Sequence, residues 1–122
     1  MAITLATDGR NLCADGLGDN LDSGTIELHT AGDVEVATLT LNAAAFPAAA
    51  TGTITAAAIS DDASATGGTT TKFVLKDSGS NTIMSGTVTA SGGGGDIILD
   101  NTTIGAGVTV SITSLTITVP AT

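Results

Sequence analysis

From residue 25 onward, apolar and polar residues take turns along the chain, and each alternating run closes on Gly, Asp, Asn or Ser. A period of two puts successive side chains on opposite faces of a pleated strand. "TIELHT" (25–30) sets Ile26 and Leu28 on one face. "VEVATLTLN" (34–42) sets Val34 and Val36, then Leu39 and Leu41, and the change of phase around Ala37 predicts a bulge or a bend. "TGTITAAAIS" (51–60) carries Ile54 and Ile59 with a similar slip. "TTTKFVLKD" (69–77) turns Phe73 and Leu75 inward and Lys72 and Lys76 outward. "TIMSGTVTA" (82–90) presents Ile83 and Val88 about a kink at Gly86, and "DIILD" (96–100) is short. "VTVSITSLTITVP" (108–120) reads as a strand pair or one long bent strand, with Val108, Val110 and Ile112 in phase, then Leu115, Ile117 and Val119 after a shift at Ser114.

The punctuation fits strands. "GGTT", "DSGSN", "SGGGGD" and "IGAGV" are turn compositions, in which Gly supplies positive φ and Asp, Asn and Ser bond their own backbone. "SGGGGD" (91–96) is expected to be a flexible hairpin tip. "AAAFPAAATG" (43–52) is a connection, because Pro47 makes it a poor helix despite its alanines. Short β-branched strands between such turns predict an all-β fold, an antiparallel β-sandwich over residues 25–122. Alternation gives strands but not their pairing, so jelly-roll and immunoglobulin-like orders both remain open.

Residues 1–24 differ, and are expected to form an N-terminal arm and a short helix within the same single domain. Cys13 or Ala14, Leu17 and Leu21 recur every three to four residues and make one apolar face. Asp8 is placed to cap this helix and Gly24 to end it, while Gly16 and Gly18 each cost it roughly 1 kcal/mol of preference. Cys13 reads as a small buried hydrophobe. Asp15, Asp19 and Asp22, in "CADGLGDNLDSG", are expected along the wet side.

Composition decides which partners this fold can serve. Hydrophobic residues are 42% of the 122, yet aromatic ones are 2%, Phe46 and Phe73, so the core must be built of Ala, Val, Ile and Leu. Small side chains contribute less on burial than large ones, which predicts a marginal subunit that gains from assembly. The net charge is −9, with Arg10, Lys72 and Lys76 the only strong cations. Nucleic acid and anionic membrane are therefore not expected partners, since both are gripped by clustered Lys and Arg. One cysteine allows no internal disulfide. No basic leader and no long apolar run is present, so the chain is expected to be made and folded in a cytosol.

The residues that carry chemistry are few. "DGLGDNLD" lacks the alternating carboxylate ladder of a calcium loop, and Asp61, Asp62, Asp96 and Asp100 read as turn and strand-end residues, so no metal is expected. His29 is the only histidine, and nothing in the spacing offers it a nucleophile. "SGGGGD" has no following G-K-S/T and no helix to open. Absence of Trp and Tyr argues against sugar binding, and the Thr-x-Thr stretches lack the fixed repeat of an ice-binding solenoid. Neither enzymatic activity nor a cofactor is expected.

Four stretches carry a resemblance: Arg10 and Asn11 ahead of Asp15, Leu17 and Leu21; Ile26 and Leu28, then Gly67, then Lys72, Phe73 and Val74 before "DSGSN"; Gly86, Thr87 and Val88; and above all "DIILDNTTIGAGVTVSITSLTITV". On these the chain resembles a family of short virion proteins of tailed bacteriophages and prophages, with an R-N-x-x-x-D-x-I-x-x-x-I-G opening, a strand ending in D-S-S-G and a C-terminal signature like the last stretch. His29 and Lys72 stand where the family often has Tyr and Trp. By analogy with capsid cement proteins, which are small, β-rich, acidic and often trimeric, the resemblance implies a head decoration protein on the capsid surface of the virion. It would bind the major capsid protein as a homo-oligomer, with Arg10, Leu17 and Leu21 as contact residues. The alternative is a tail or host-facing module that recognises a receptor.

Overall fold

The computed structural model of the chain describes residues 3–112 and 115–121. One helix precedes a succession of short strands: α1 (Thr7–Asn20), β1 (Thr25–His29), β2 (Glu35–Thr40), β3 (Thr53–Thr55), β4 (Gly68–Thr69), β5 (Lys72–Lys76), β6 (Thr82–Ala90), β7 (Ile97–Leu99), β8 (Thr103–Ile104) and β9 (Thr116–Thr118). The fold is β-rich. Its centre is a five-stranded sheet in the order β2-β1-β5-β6-β7, accompanied by the pairs β3·β9 and β4·β8.

Alternation places the inner face of the sheet as expected. In both β1 and β5 the even pattern of half-buried and buried residues puts Ile26 and Leu28, and Phe73 and Leu75, on one side. The phase change in β2 is a bulge: Leu28 pairs with Ala37 but His29 with Glu35, so Val36 is the extra residue and both Val36 and Ala37 are buried. A single apolar cluster joins this face to Ala14 and Leu21 of α1, Ile54 of β3 and Phe46 of the 43–52 connection. Phe46 lies against the helix at Gly18, where an added Cβ would stand 3.0 Å from the Phe46 Cβ. The 43–52 connection is indeed not helical.

Two expectations about pairing fail. The sheet is mixed, because β7 runs parallel to β6, with Val88 opposite Ile97 and Ala90 opposite Leu99. "SGGGGD" is thus not a hairpin tip. Parallel neighbours ordinarily need a crossover of a dozen or more residues. Here residues 91–96 double back along their own strand: the Gly93 N–H donates to the Ala90 carbonyl (3.0 Å) and the Gly95 N–H to the Thr89 hydroxyl (3.0 Å). Glycine suits this path for two reasons: a Cβ at Gly93 would lie 2.6 Å from the Thr89 Cβ, and Gly92 and Gly94, which face open space, have φ of +89° and +76°. Among its described residues the run 108–120 contributes β9 as its one strand, together with a bridge between Val110 and Asp62. Val108 is half exposed, and the shift expected at Ser114 lies outside the described residues. Residues 51–60 form a strand only at Thr53–Thr55, because the apolar spacing there is broken by consecutive alanines.

The outer edge of β2 is closed without a full strand. Its outward peptide groups meet the 60–67 segment: Ser60 N–H donates to the Thr40 carbonyl (2.9 Å), Gly67 N–H to the Val36 carbonyl (3.1 Å), and between them the Asp62 carboxylate accepts the Thr38 N–H (2.8 Å). With these three groups occupied and the 60–67 segment lying along it, this edge is a poor template for another strand.

Candidate functional site

The residues expected to make contacts lie on α1, and local chemistry fixes how that helix is presented. Its N-cap is Ala6, with no side-chain capping bond, and not Asp8, which stands exposed in the first turn. What anchors the helix is instead a row of polar side chains that bind backbone of other segments. Arg10 Nε donates to the Val119 carbonyl (2.7 Å), Asn11 Oδ1 accepts the Gly52 N–H (2.7 Å), and Asp15 Oδ1 accepts the Ala49 N–H (2.7 Å). Just past the helix, Asp22 Oδ1 accepts the Ala45 N–H (2.8 Å). Loop 43–52 has no regular structure to satisfy its own N–H groups, so side chains from α1 and the turn after it do so.

This corrects the wet-face reading of the three aspartates. Asp15 and Asp22 are half-buried ligands of loop backbone, and Asp19 alone is exposed. The buried positions of α1 are Ala14 and Gly18, followed by Leu21 at the C-cap. Cys13 is exposed, not inward, because the inward arc is centred one residue further on. Among the expected contact residues, Leu21 has no accessible surface and belongs to the core, Leu17 is half-buried, and Arg10 is half-buried with its Nε committed to Val119. The sequence reading missed Ile3 and Leu12, each 75% exposed. Leu12 falls outside the Ala14, Gly18, Leu21 spacing, and that mismatch was the available signal. Two exposed apolar side chains thus sit at this end of the chain, Ile3 on the arm and Leu12 on a helix that is clamped from behind.

A second arrangement occupies the outer face of the central sheet. Glu27 accepts from His29 Nε2 at 2.9 Å and from Lys76 Nζ at 3.0 Å, while Lys72 Nζ reaches Asp33 at 2.7 Å. Burial pushes the Glu27 carboxyl up, but the hydrogen bonds from His29 and Lys76, with their charges, outweigh it and hold the group below the ordinary glutamate value. Glu35 shares this face, accepting from the Thr38 and Thr66 hydroxyls at 2.9 and 2.7 Å. His29 is therefore tied to a carboxylate two residues away on its own strand.

A cleft of about 240 Å³ lies between β5, β6 and β9, with Phe73, Leu75, Met84, Leu115 and Ile117 as its apolar lining and Asp96 among its polar groups. Asp96 is occupied: the Thr87 N–H and hydroxyl donate to its Oδ2 at 2.9 and 3.1 Å, which holds its carboxyl below the usual range. Among the described residues no group of three or more His, Cys, Asp or Glu is placed to hold a metal ion, and no helix is long and apolar enough to cross a membrane. No family model, curated protein or solved structure matches the chain.

Proposed function

We propose that the protein is a non-enzymatic structural component of a tailed-phage virion, a head decoration or cement protein that binds the outer surface of the major capsid protein and stabilises the DNA-filled head. The observation that carries this reading is Leu12, outward and exposed on a helix anchored by Arg10, Asn11 and Asp15, with Ile3 exposed on the arm before that helix. Ordering such a surface in advance removes part of the entropy cost of binding. Leu12, Leu17 and Ile3 then make the contact, while Arg10 and Leu21 serve it by positioning the helix. Each contact is small, and repetition over a shell, with association into a trimer, multiplies it into strong retention. The finer fold that goes with this reading is a sandwich of jelly-roll or immunoglobulin-like order, with the central sheet facing the β3·β9 pair and α1 across one end.

Ile3→Glu combined with Leu12→Glu tests the contact, because both side chains are exposed and the fold should keep its melting temperature. Occupancy on empty expanded heads is expected to drop at least tenfold, as loss of about 1.4 kcal/mol per copy would produce. Undiminished occupancy would remove this surface from the mechanism. A receptor-binding tail module predicts the opposite pattern in a deletion: lost adsorption with heat-resistant heads, where the cement reading predicts heads that leak DNA on heating and adsorb normally.

A further inference from the structure

We propose that the N-terminal arm of one copy, residues 3–6, adds as a short strand to the open edge of β6 in a second copy. Joining of copies in this way is independent of what the assembly coats. The Val88 N–H donates to the Thr71 carbonyl (2.9 Å) on the β5 side, so strand alternation turns the backbone groups of Ser85 and Thr87 the other way. Thr87 marks that direction, because its N–H meets the Asp96 carboxylate at 2.9 Å. β7 pairs with β6 only at residues 88–90. The N–H and carbonyl of Ser85, an exposed residue, accordingly have no partner among the described residues. Where residues 60–67 close the margin of β2, this edge stays open.

The arm has the matching pattern. In "ITLA", Ile3 and Leu5 flank Thr4 with the period of a strand, yet these residues form neither helix nor strand and Ile3 is 75% exposed. The Leu5 N–H donates to the Ala121 carbonyl of its own chain (2.7 Å). In an extended segment the groups of Thr4 then face the opposite way, and they have no partner among the described residues. Thr4 set opposite Ser85 exchanges two backbone hydrogen bonds while Leu5 keeps its own. The faces agree as well. Ser85 pairs with Val74 and Met84 with Leu75, which puts Ser85 on the outer face of the sheet and Met84 on the inner one. Thr4 therefore points outward beside Ser85, and Ile3 points inward, at the cleft lined by Phe73, Leu75, Met84, Leu115 and Ile117. That cleft, about 240 Å³, exceeds the roughly 120 Å³ that four side-chain carbons fill at about the volume of one water each. Within one chain Thr4 and Ser85 do not bond, so the occupant is another copy. Neither residues 3–6 nor residues 84–86 carry charge, and this is a contact that copies of net charge −9 can make without adding to their repulsion. Donor and acceptor are different surfaces, which makes the contact head-to-tail and closes it into a ring. A copy with its arm inserted meets the capsid through Leu12 and Leu17, its Ile3 being buried in the neighbour.

Sedimentation equilibrium and amide hydrogen exchange of the full chain test the insertion together. As concentration rises toward about a millimolar, the weak end of the affinity scale, the chain is expected to associate while exchange at the Ser85 amide slows about tenfold or more. Added salt should strengthen the association by screening the net charge. Ile3→Asn, at a position exposed in the single chain, should weaken association about tenfold or more. So should Ser85→Pro, which removes only an outward N–H at an edge where proline is tolerated. A circular dichroism spectrum like that of the unaltered chain confirms that each variant folds. If Ser85→Pro does not fold, Ser85 exchange in the Ile3→Asn chain takes its place and should stay fast at every concentration. Leu12→Glu should associate as the unaltered chain does, so heads left bare by an associating protein would count against the capsid reading alone. A chain that remains monomeric up to about a millimolar overturns the proposal, as does association that Ile3→Asn leaves intact. So does an oligomer whose Ser85 amide exchanges as fast as in the monomer. Ser85 protection that does not change with concentration would mean an arm folded onto its own edge, and overturns it too.

Discussion

Asp15 and Asp19 stand one helical turn apart and have different work. Asp15 receives the Ala49 N–H, while Asp19 is exposed and makes no hydrogen bond to another segment among the described residues. Removing a charged acceptor from a half-buried N–H typically costs about 1.5–3 kcal/mol, whereas an exposed surface change stays within about 0.5 kcal/mol. Asp15→Ala is expected to lower the urea midpoint at unchanged slope, and Asp19→Ala to leave it in place; equal midpoints would contradict the loop-anchoring role. Glu27 gives the pH dependence. Its pKa is lower folded than unfolded, so its contribution is complete above the ordinary glutamate range and is lost as the pH falls through the acid range toward the folded value. Thermal melts between neutral pH and about pH 3 should show a shallower acid decline for Glu27→Gln than for the unaltered chain.

At the scale of elements, glycine separates positions that need its bareness from positions that merely tolerate it. An added Cβ at Gly16 meets nothing within 4 Å, and the residue lies inside α1. Gly16→Ala should therefore stabilise by about 0.5–1 kcal/mol. Gly18→Ala should destabilise, because its Cβ would press on Phe46, and Gly95→Ala more so, because its Cβ would lie 2.9 Å from Thr89 Oγ1 in the doubled-back loop. Differential scanning calorimetry on the three variants would fail the packing account if the signs agreed. The same contrast marks what was legible beforehand. β1, β5 and the inner face of Phe73 and Leu75 follow from alternation, since side-chain period is a local property. The direction of β7 does not, because "SGGGGD" is turn chemistry in either case and only the squeeze against Thr89 distinguishes a return from a tip. The clamping of α1 was hidden for a related reason. Asp15, Asn11 and Arg10 look like surface residues until backbone distant in sequence arrives beside them, the Ala49 and Gly52 N–H groups of loop 43–52 and the Val119 carbonyl. Leu21 could be read as apolar, but whether it faced a partner or the core depended on a sheet that the local pattern cannot position.

At the scale of the molecule, a chain of net charge −9 with three strong cations repels itself in the folded state. Added salt is expected to raise the melting temperature at low protein concentration by screening that repulsion. A melting temperature that falls with salt under dilute conditions would show that the ion pairs of Glu27 outweigh the background field. Finally, the sealed margin of β2 bears on how the protein can accumulate. A polypeptide rich in threonine, valine and isoleucine is well suited to grow into fibres by adding one strand after another. With the Asp62 carboxylate seated against Thr38, that side of the sheet ends in a side chain instead of a ladder. Elongation by strand addition is therefore not expected to start from the β2 side of this sheet.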